Sequence, residues 1–141
     1  MGDGVLSETF PEIREAVRRL CARFPGEYWR ALDRERAYPT EFVKALTDSG
    51  FLAVLIPEEY GGSGGSFMDL AVLLEEMGRA LAPGPFFPTV VLGGLTVSDA
   101  GTTHQRQDIL PGVCDGSLRL TLALTEPSAT YEPWGVETTA T

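Results

Sequence analysis

The stretch SFMDLAVLLEEMGRALAPGP, residues 66–85, constrains the fold more than any other part of the chain. Ser66 and Asp69 stand in the S-x-x-D spacing of a capping box, in which each residue satisfies an amide the helix start leaves open. Phe67, Leu70, Leu73, Leu74, Met77 and Leu81 then recur at helical spacing. Pro83 stops the run, because it removes a donor and clashes with the preceding turn. An apolar stripe this wide is stable only when buried against other elements, so the chain has to supply partners for it.

Several segments qualify. Ile13, Val17, Leu20, Cys21 and Phe24 line one face over 12–24, with Pro11 suited to the first turn. Residues 27–36 are charged and aromatic and read as a helical piece or a loop. Phe42, Val43 and Leu46 share a face in a helix that starts near Pro39 and ends before Gly50, glycine being favoured just past a helix end. FLAVLIP, 51–57, is too short and too apolar for a surface helix and reads as a buried connector. Pro88 can open a helix over 89–99, weakened by Val90, Val91, Val97 and the pair Gly93-Gly94. A short helix over 103–110 follows, expected to stop at Pro111-Gly112. The pattern then changes: 118–124 alternates loosely before turning fully apolar, is bounded by CDGS and Pro127, and reads as a strand. The fold class expected is mainly α, with a helical domain over 1–117 and the beginning of a β domain over 118–141.

Composition narrows the function classes. At 141 residues, 43% hydrophobic and 22% charged, the chain can bury a core. A net charge of −9 presents no basic face to phosphates, which argues against nucleic acid and anionic membranes. No apolar run approaches the roughly 18 residues of a membrane span, and the start lacks the pattern of a leader, so the reading is cytoplasmic. Cys21 and Cys114 form no disulfide framework and no zinc spacing; both read as small buried hydrophobes. His104 has no carboxylate or cysteine at ligand spacing and reads as an exposed helix residue. No metal site is expected. The glycines of EEYGGSGGS match neither a P-loop nor GxGxxG and read as a turn.

Three stretches, in this order and at these separations, resemble the acyl-CoA dehydrogenase family: IPEEYGGSGGSFMDLAVLLEEMGRA (56–80), ILPGVCDGS (109–117) and LALTEP (122–127). The resemblance covers most of the chain. It implies an amino-terminal helical domain, a middle β domain and a carboxy-terminal four-helix domain, with FAD held between them across subunits. The implied reaction is α,β-dehydrogenation of an acyl-CoA thioester to a 2-enoyl-CoA. The family's carboxylate base lies in the carboxy-terminal domain, beyond Thr141, so no catalytic residue is assigned here. Glu58, Glu59, Glu75 and Glu76 are instead expected to be solvated. WGVETTAT, 134–141, stops at what reads as a second strand, so a longer native product is expected.

The resemblance also implies what this chain contributes. The backbone of Leu122 and Leu124 and the hydroxyl of Thr125, which can donate and accept, would face the polar edge of the flavin. After Pro127 the family continues Gly-Ala-Gly-Ser-Asp, whereas residues 128–132 here read Ser-Ala-Thr-Tyr-Glu. Tyr131 thus stands where a cofactor-contacting Ser is expected. That departure leaves two readings: a divergent enzyme for unusual acyl groups, or a non-catalytic partner subunit whose flavin site has decayed. Phe86, Phe87, Val90 and Val91 are candidate acyl-pocket residues, with core packing as the alternative, and Gly93-Gly94 could leave room for a bulky tail. Steroid side-chain CoA esters, oxidised by heterotetramers in some divergent members, are one direction for the substrate. The partners implied are an acyl-CoA, electron-transfer flavoprotein or a similar acceptor, and further subunits in a homo- or hetero-oligomer.

Overall fold

The computed structural model of the chain describes residues 10–128 and 133–139. Helix α1, Pro11–Ala22, opens with proline at its first position and Glu12 in the first turn, and closes with Arg19, charges that complement the helix dipole. α2, Gly26–Glu35, settles the ambiguous charged and aromatic stretch as a helix. It attaches through aromatic edges: Phe24 meets Tyr28 at 5.0 Å and Phe42 at 5.2 Å, and Trp29 meets Phe42 at 5.0 Å, all near T-shaped. α3 follows over Thr40–Asp48, and a 3₁₀ turn, Phe51–Ala53, begins the connector whose Leu52, Ala53 and Ile56 are buried.

α4, Phe67–Arg79, carries the expected capping box: the Ser66 amide donates to the Asp69 carboxylate at 2.7 Å and the Asp69 amide to the Ser66 hydroxyl at 3.3 Å. Leu70, Val72, Leu73 and Met77 are buried and pack chiefly on α1. The ends of the stripe differ from the sequence expectation. Phe67 lies exposed in the first turn, and Leu81 falls outside the helix with φ 49° and 84% exposure, because α4 already ends at Arg79. The core joins Val17 and Leu20 of α1, Phe42 and Leu46 of α3, Leu70, Leu73 and Met77 of α4, and Phe86, Val90 and Val113.

Glu76 corrects the expectation of a solvated face. It shares its helix face with Leu73 and Met77 and is 2% exposed. Arg14, also buried, donates to it at 2.7 Å, and Arg18 donates at 2.7 and 2.8 Å. The half-buried Glu75 accepts from Arg14 at 2.8 Å and Arg79 at 3.0 Å. Buried charge is tolerated when paired and hydrogen-bonded, and α1 places arginines one turn apart opposite α4.

The remaining helices also depart from expectation. Phe87–Gly94 is a π-helical segment, running directly into α5, Leu95–Ala100. α6, Thr103–Cys114, starts at a second capping box, Thr102 with Gln105, and continues through Pro111. Burial of Leu110 and Val113 on either side of the proline carries the helix past it. His104 is exposed as expected, yet the sequence reading overlooked Asp108, one turn on, whose carboxylate lies 3.0 Å from its Nδ1. Cys21 is buried, while Cys114 is half-buried with Sγ 3.9 Å from the Tyr60 carbonyl. Burial pushes both thiols up.

After α6 the chain carries no regular secondary structure over 118–126, and no β-strand forms among the described residues. A strand needs a hydrogen-bonding neighbour, and the described chain offers this segment none along most of its length. No helix among the described residues is long and apolar enough to cross a membrane, and no group of His, Cys, Asp or Glu there could hold a metal.

Candidate functional site

Two surfaces carry the residues that the sequence singles out. The first is the segment after α6. Gly116, with φ 74°, turns the chain off the helix, and a β-carbon there would lie 2.5 Å from the Thr47 hydroxyl. The Asp115 carboxylate accepts from the Ser117 amide at 2.8 Å, and the Ser117 side chain, with that amide, holds it below the usual carboxylate range. The Leu118 amide donates to the Gly112 carbonyl at 2.8 Å. At Leu120 the segment meets the π-helical segment, where the Thr89 hydroxyl lies 3.3 Å from both its amide and its carbonyl oxygen.

Beyond that contact the segment is free. Leu122, Leu124 and Thr125 are all exposed. Among the described residues their backbone groups and the Thr125 hydroxyl have no hydrogen-bond partner. Open amides, carbonyls and a hydroxyl on an exposed segment are the chemistry that the polar edge of an isoalloxazine ring accepts, so the residues present fit a flavin. Tyr131 lies outside the described residues, as do 129, 130 and 132. Glu126 closes the region: its carboxylate accepts from the amides of Glu137 and Thr138, each at 2.9 Å, and from the Thr138 hydroxyl. The Thr138 contacts and the Glu137 amide hold Glu126 below the usual carboxylate range. No local signal in the sequence points Glu126 to a partner 11 residues away.

The second surface is the π-helical segment with the residue before it. Of the four candidate acyl-pocket residues, Phe86 and Val90 are core, Phe87 is half exposed and Val91 is half-buried. The void beside Phe86 and Thr89 measures about 10 Å³, no more than a single water's worth. Gly93 and Gly94 leave no free space for a tail. A β-carbon on Gly93 would lie 2.3 Å from the Leu120 β-carbon, and Gly94 faces the Thr89 carbonyl and Ile56. Leu120 already occupies the room that the sequence reading gave to a ligand.

The glycine-rich turn has no amides to offer a phosphate. Those of Gly62, Ser63, Gly64 and Gly65 donate to the carbonyls of Pro57, Ala53, Ile56 and Val54 at 2.8–3.1 Å. A β-carbon on Gly62 would come within 1.8 Å of the Ile56 carbonyl oxygen, so this glycine is required by close packing. A polar cleft of about 380 Å³ lies between α3 and Arg119, whose guanidinium stacks 4.4 Å above the Tyr38 ring.

Residues 7–117 match the family described as acyl-CoA dehydrogenase, N-terminal domain, and the chain belongs to that family. It is 35% identical over 137 residues to Acyl-CoA dehydrogenase FadE12 of Mycobacterium tuberculosis, a match covering 95% of this chain and 35% of that protein. A solved variant of the Tcur3481-Tcur3483 steroid ACAD superposes with a TM-score of 0.77 at 40% identity, covering 86% of this chain and 34% of that one. An acyl-CoA dehydrogenase of Bacillus anthracis complexed with FAD gives 0.72 at 26% identity, over 89% and 22%. The chain thus spans about a third of the length of the curated relatives it matches.

Proposed function

We propose that this chain supplies one wall of the flavin site of an acyl-CoA dehydrogenase that oxidises an acyl-CoA thioester to its 2-enoyl-CoA. The observation that carries the reading is the exposed run Leu122 to Thr125, whose polar groups have no protein partner among the described residues and which follows the family's helical domain. FAD bound against it would supply the hydride acceptor. The chain's own part is to present the Leu122 and Leu124 backbone and the Thr125 hydroxyl to the ring edge, while Phe87 and Val91, backed by Phe86 and Val90, line the acyl side.

Residues 118–141 then belong to the middle β domain, and the base that takes the α-proton comes from another part of the protein. The steroid relative's size class of substrate suits an enzyme whose sequence diverges at 128–132, and the open segment calls for further subunits or domains. Electron-transfer flavoprotein or a similar carrier is the proposed acceptor, and the cytoplasm the proposed location.

Thr125→Val, which keeps shape and removes the hydroxyl, tests the site in the full-length protein. Loss of one hydrogen bond predicts flavin retention weakened by about fivefold to tenfold, read by absorption after dialysis. Unchanged retention would remove Thr125 from the site. Tyr131 in the place of Ser favours a second reading, a partner subunit with a decayed flavin site. Restoring Thr130→Gly and Tyr131→Ser together separates the two: a gain of bound flavin supports decay, and no change or a loss supports a specialised site.

A further inference from the structure

We propose that Thr89 is a positioning residue, which with Gly93 sets the register in which the flavin-facing segment lies along the helical domain. Thr89 is 4% exposed, so a solvent role for its hydroxyl is excluded. That hydroxyl lies 3.3 Å from the Leu120 carbonyl oxygen, to which it donates, and 3.3 Å from the Leu120 amide, from which it accepts. One side chain thereby imitates the neighbouring strand that Leu120 lacks, using both capacities of a hydroxyl.

Four residues on, Gly93 completes the seat. A β-carbon there would lie 2.3 Å from the Leu120 β-carbon and 3.1–3.2 Å from its outer carbons, so only glycine admits the Leu120 side chain at this depth. Both contacts arise within Phe87–Gly94, where the backbone is π-helical, a local form often found at functional sites. A slip of one residue would bring a different side chain into the Gly93 seat and shift every residue that follows. Leu122, Leu124 and Thr125 follow the clamp by two, four and five residues, so its register fixes which way the Thr125 hydroxyl points. The same π-helical segment bears Phe87, Val90 and Val91. A single rigid element therefore joins the candidate acyl wall to the candidate flavin wall.

The positioning role rests on the flavin reading of Leu122 to Thr125, whereas the clamp itself does not. The test uses the full-length protein with Thr89→Val, Thr89→Ser and Gly93→Ala, each checked for unchanged far-ultraviolet circular dichroism. Hydrogen exchange at the Leu120 amide, read without flavin, reports the clamp. The dissociation constant and absorption spectrum of added FAD report positioning. Thr89→Val is expected to speed exchange at Leu120 and to weaken FAD binding, each by about tenfold, with an altered spectrum, and Thr89→Ser to restore both. Gly93→Ala should do the same as Thr89→Val while leaving the hydroxyl in place. Unchanged exchange in Thr89→Val overturns the clamp. Faster exchange with unaltered FAD binding and spectrum overturns the positioning role while leaving the flavin reading intact. If the unmodified protein takes up no FAD, the positioning role falls together with the flavin reading, and the exchange data show whether Thr89 holds Leu120 for packing alone. Should Thr89→Val fail to fold, Gly93→Ala against Thr89→Ser makes the same comparison.

Discussion

Removing the Glu76 carboxylate should cost this domain far more than any other single acidic substitution. Glu76 accepts three hydrogen bonds at 2.7–2.8 Å from Arg14 and Arg18 in the contact between α1 and α4. Breaking one side of a buried pair typically costs 3–5 kcal/mol, because the partner's charge stays buried. Two features place this case near the lower figure: Arg14 keeps Glu75 at 2.8 Å, and Arg18 is more than half exposed and can turn to water. About 3 kcal/mol is therefore expected for Glu76→Ala. With a urea dependence of about 2 kcal/mol per molar, the unfolding midpoint falls by about 1.5 M, read by far-ultraviolet circular dichroism. The decisive control is the double variant Arg14→Met with Glu76→Leu. Replacing a buried pair by apolar groups of similar size is often neutral or stabilising, so the double variant should lie well above Glu76→Ala. Additive losses, or a Glu76→Ala midpoint equal to that of Glu58→Ala on the surface turn, would refute the reasoning.

The same network fixes a pH dependence. Glu76 is held below the usual carboxylate range chiefly by Arg18, and Glu75 chiefly by Arg79. Their stabilisation is full above the unfolded value of about 4.3 and is lost as pH falls through the lower folded values, so Glu76→Gln should flatten the acid limb of the stability curve below about pH 4.3. Gly62→Ala forces a β-carbon to within 1.8 Å of the Ile56 backbone oxygen and should cost at least as much stability as overpacking a core position, about 1–3 kcal/mol, read as a lower urea midpoint. Glu126→Ala frees the amides of Glu137 and Thr138, so chymotryptic cleavage at Trp134, which is 82% exposed, should accelerate, with no change in the urea midpoint of the helical core.

What was legible in the sequence follows from the range of the forces involved. Capping and periodicity act within one turn, and they marked α1, α3 and α4 and the Ser66–Asp69 box. Pro111 misled because a local rule was outweighed by the burial of Leu110 and Val113. Leu81 misled in the other direction: its spacing fits the stripe, but the chain leaves α4 two residues earlier into a left-handed turn. Glu76 was visible in principle, since it falls on the face of Leu73 and Met77, and a carboxylate there demands an arginine on the facing helix. Arg14 and Arg18 stand four residues apart on α1, the spacing that puts two guanidinium groups on one face.

The site was less legible because its geometry depends on pairs distant in sequence. Thr89 and Leu120 are 31 residues apart, and Gly93 looked like room for a ligand when its missing side chain makes room for Leu120. The strand expected over 118–124 does not form among the described residues, where the segment has no edge to pair with. A β-type sequence forms a strand only when a neighbour supplies the ladder, and here a threonine hydroxyl takes that part at one residue. The groups left open just beyond, at Leu122, Leu124 and Thr125, are the ones the family resemblance assigns to flavin. An open ladder edge and a cofactor-binding edge call for the same thing, a partner that both donates and accepts. That is why the residues that fail as a strand are the ones we propose as a flavin wall.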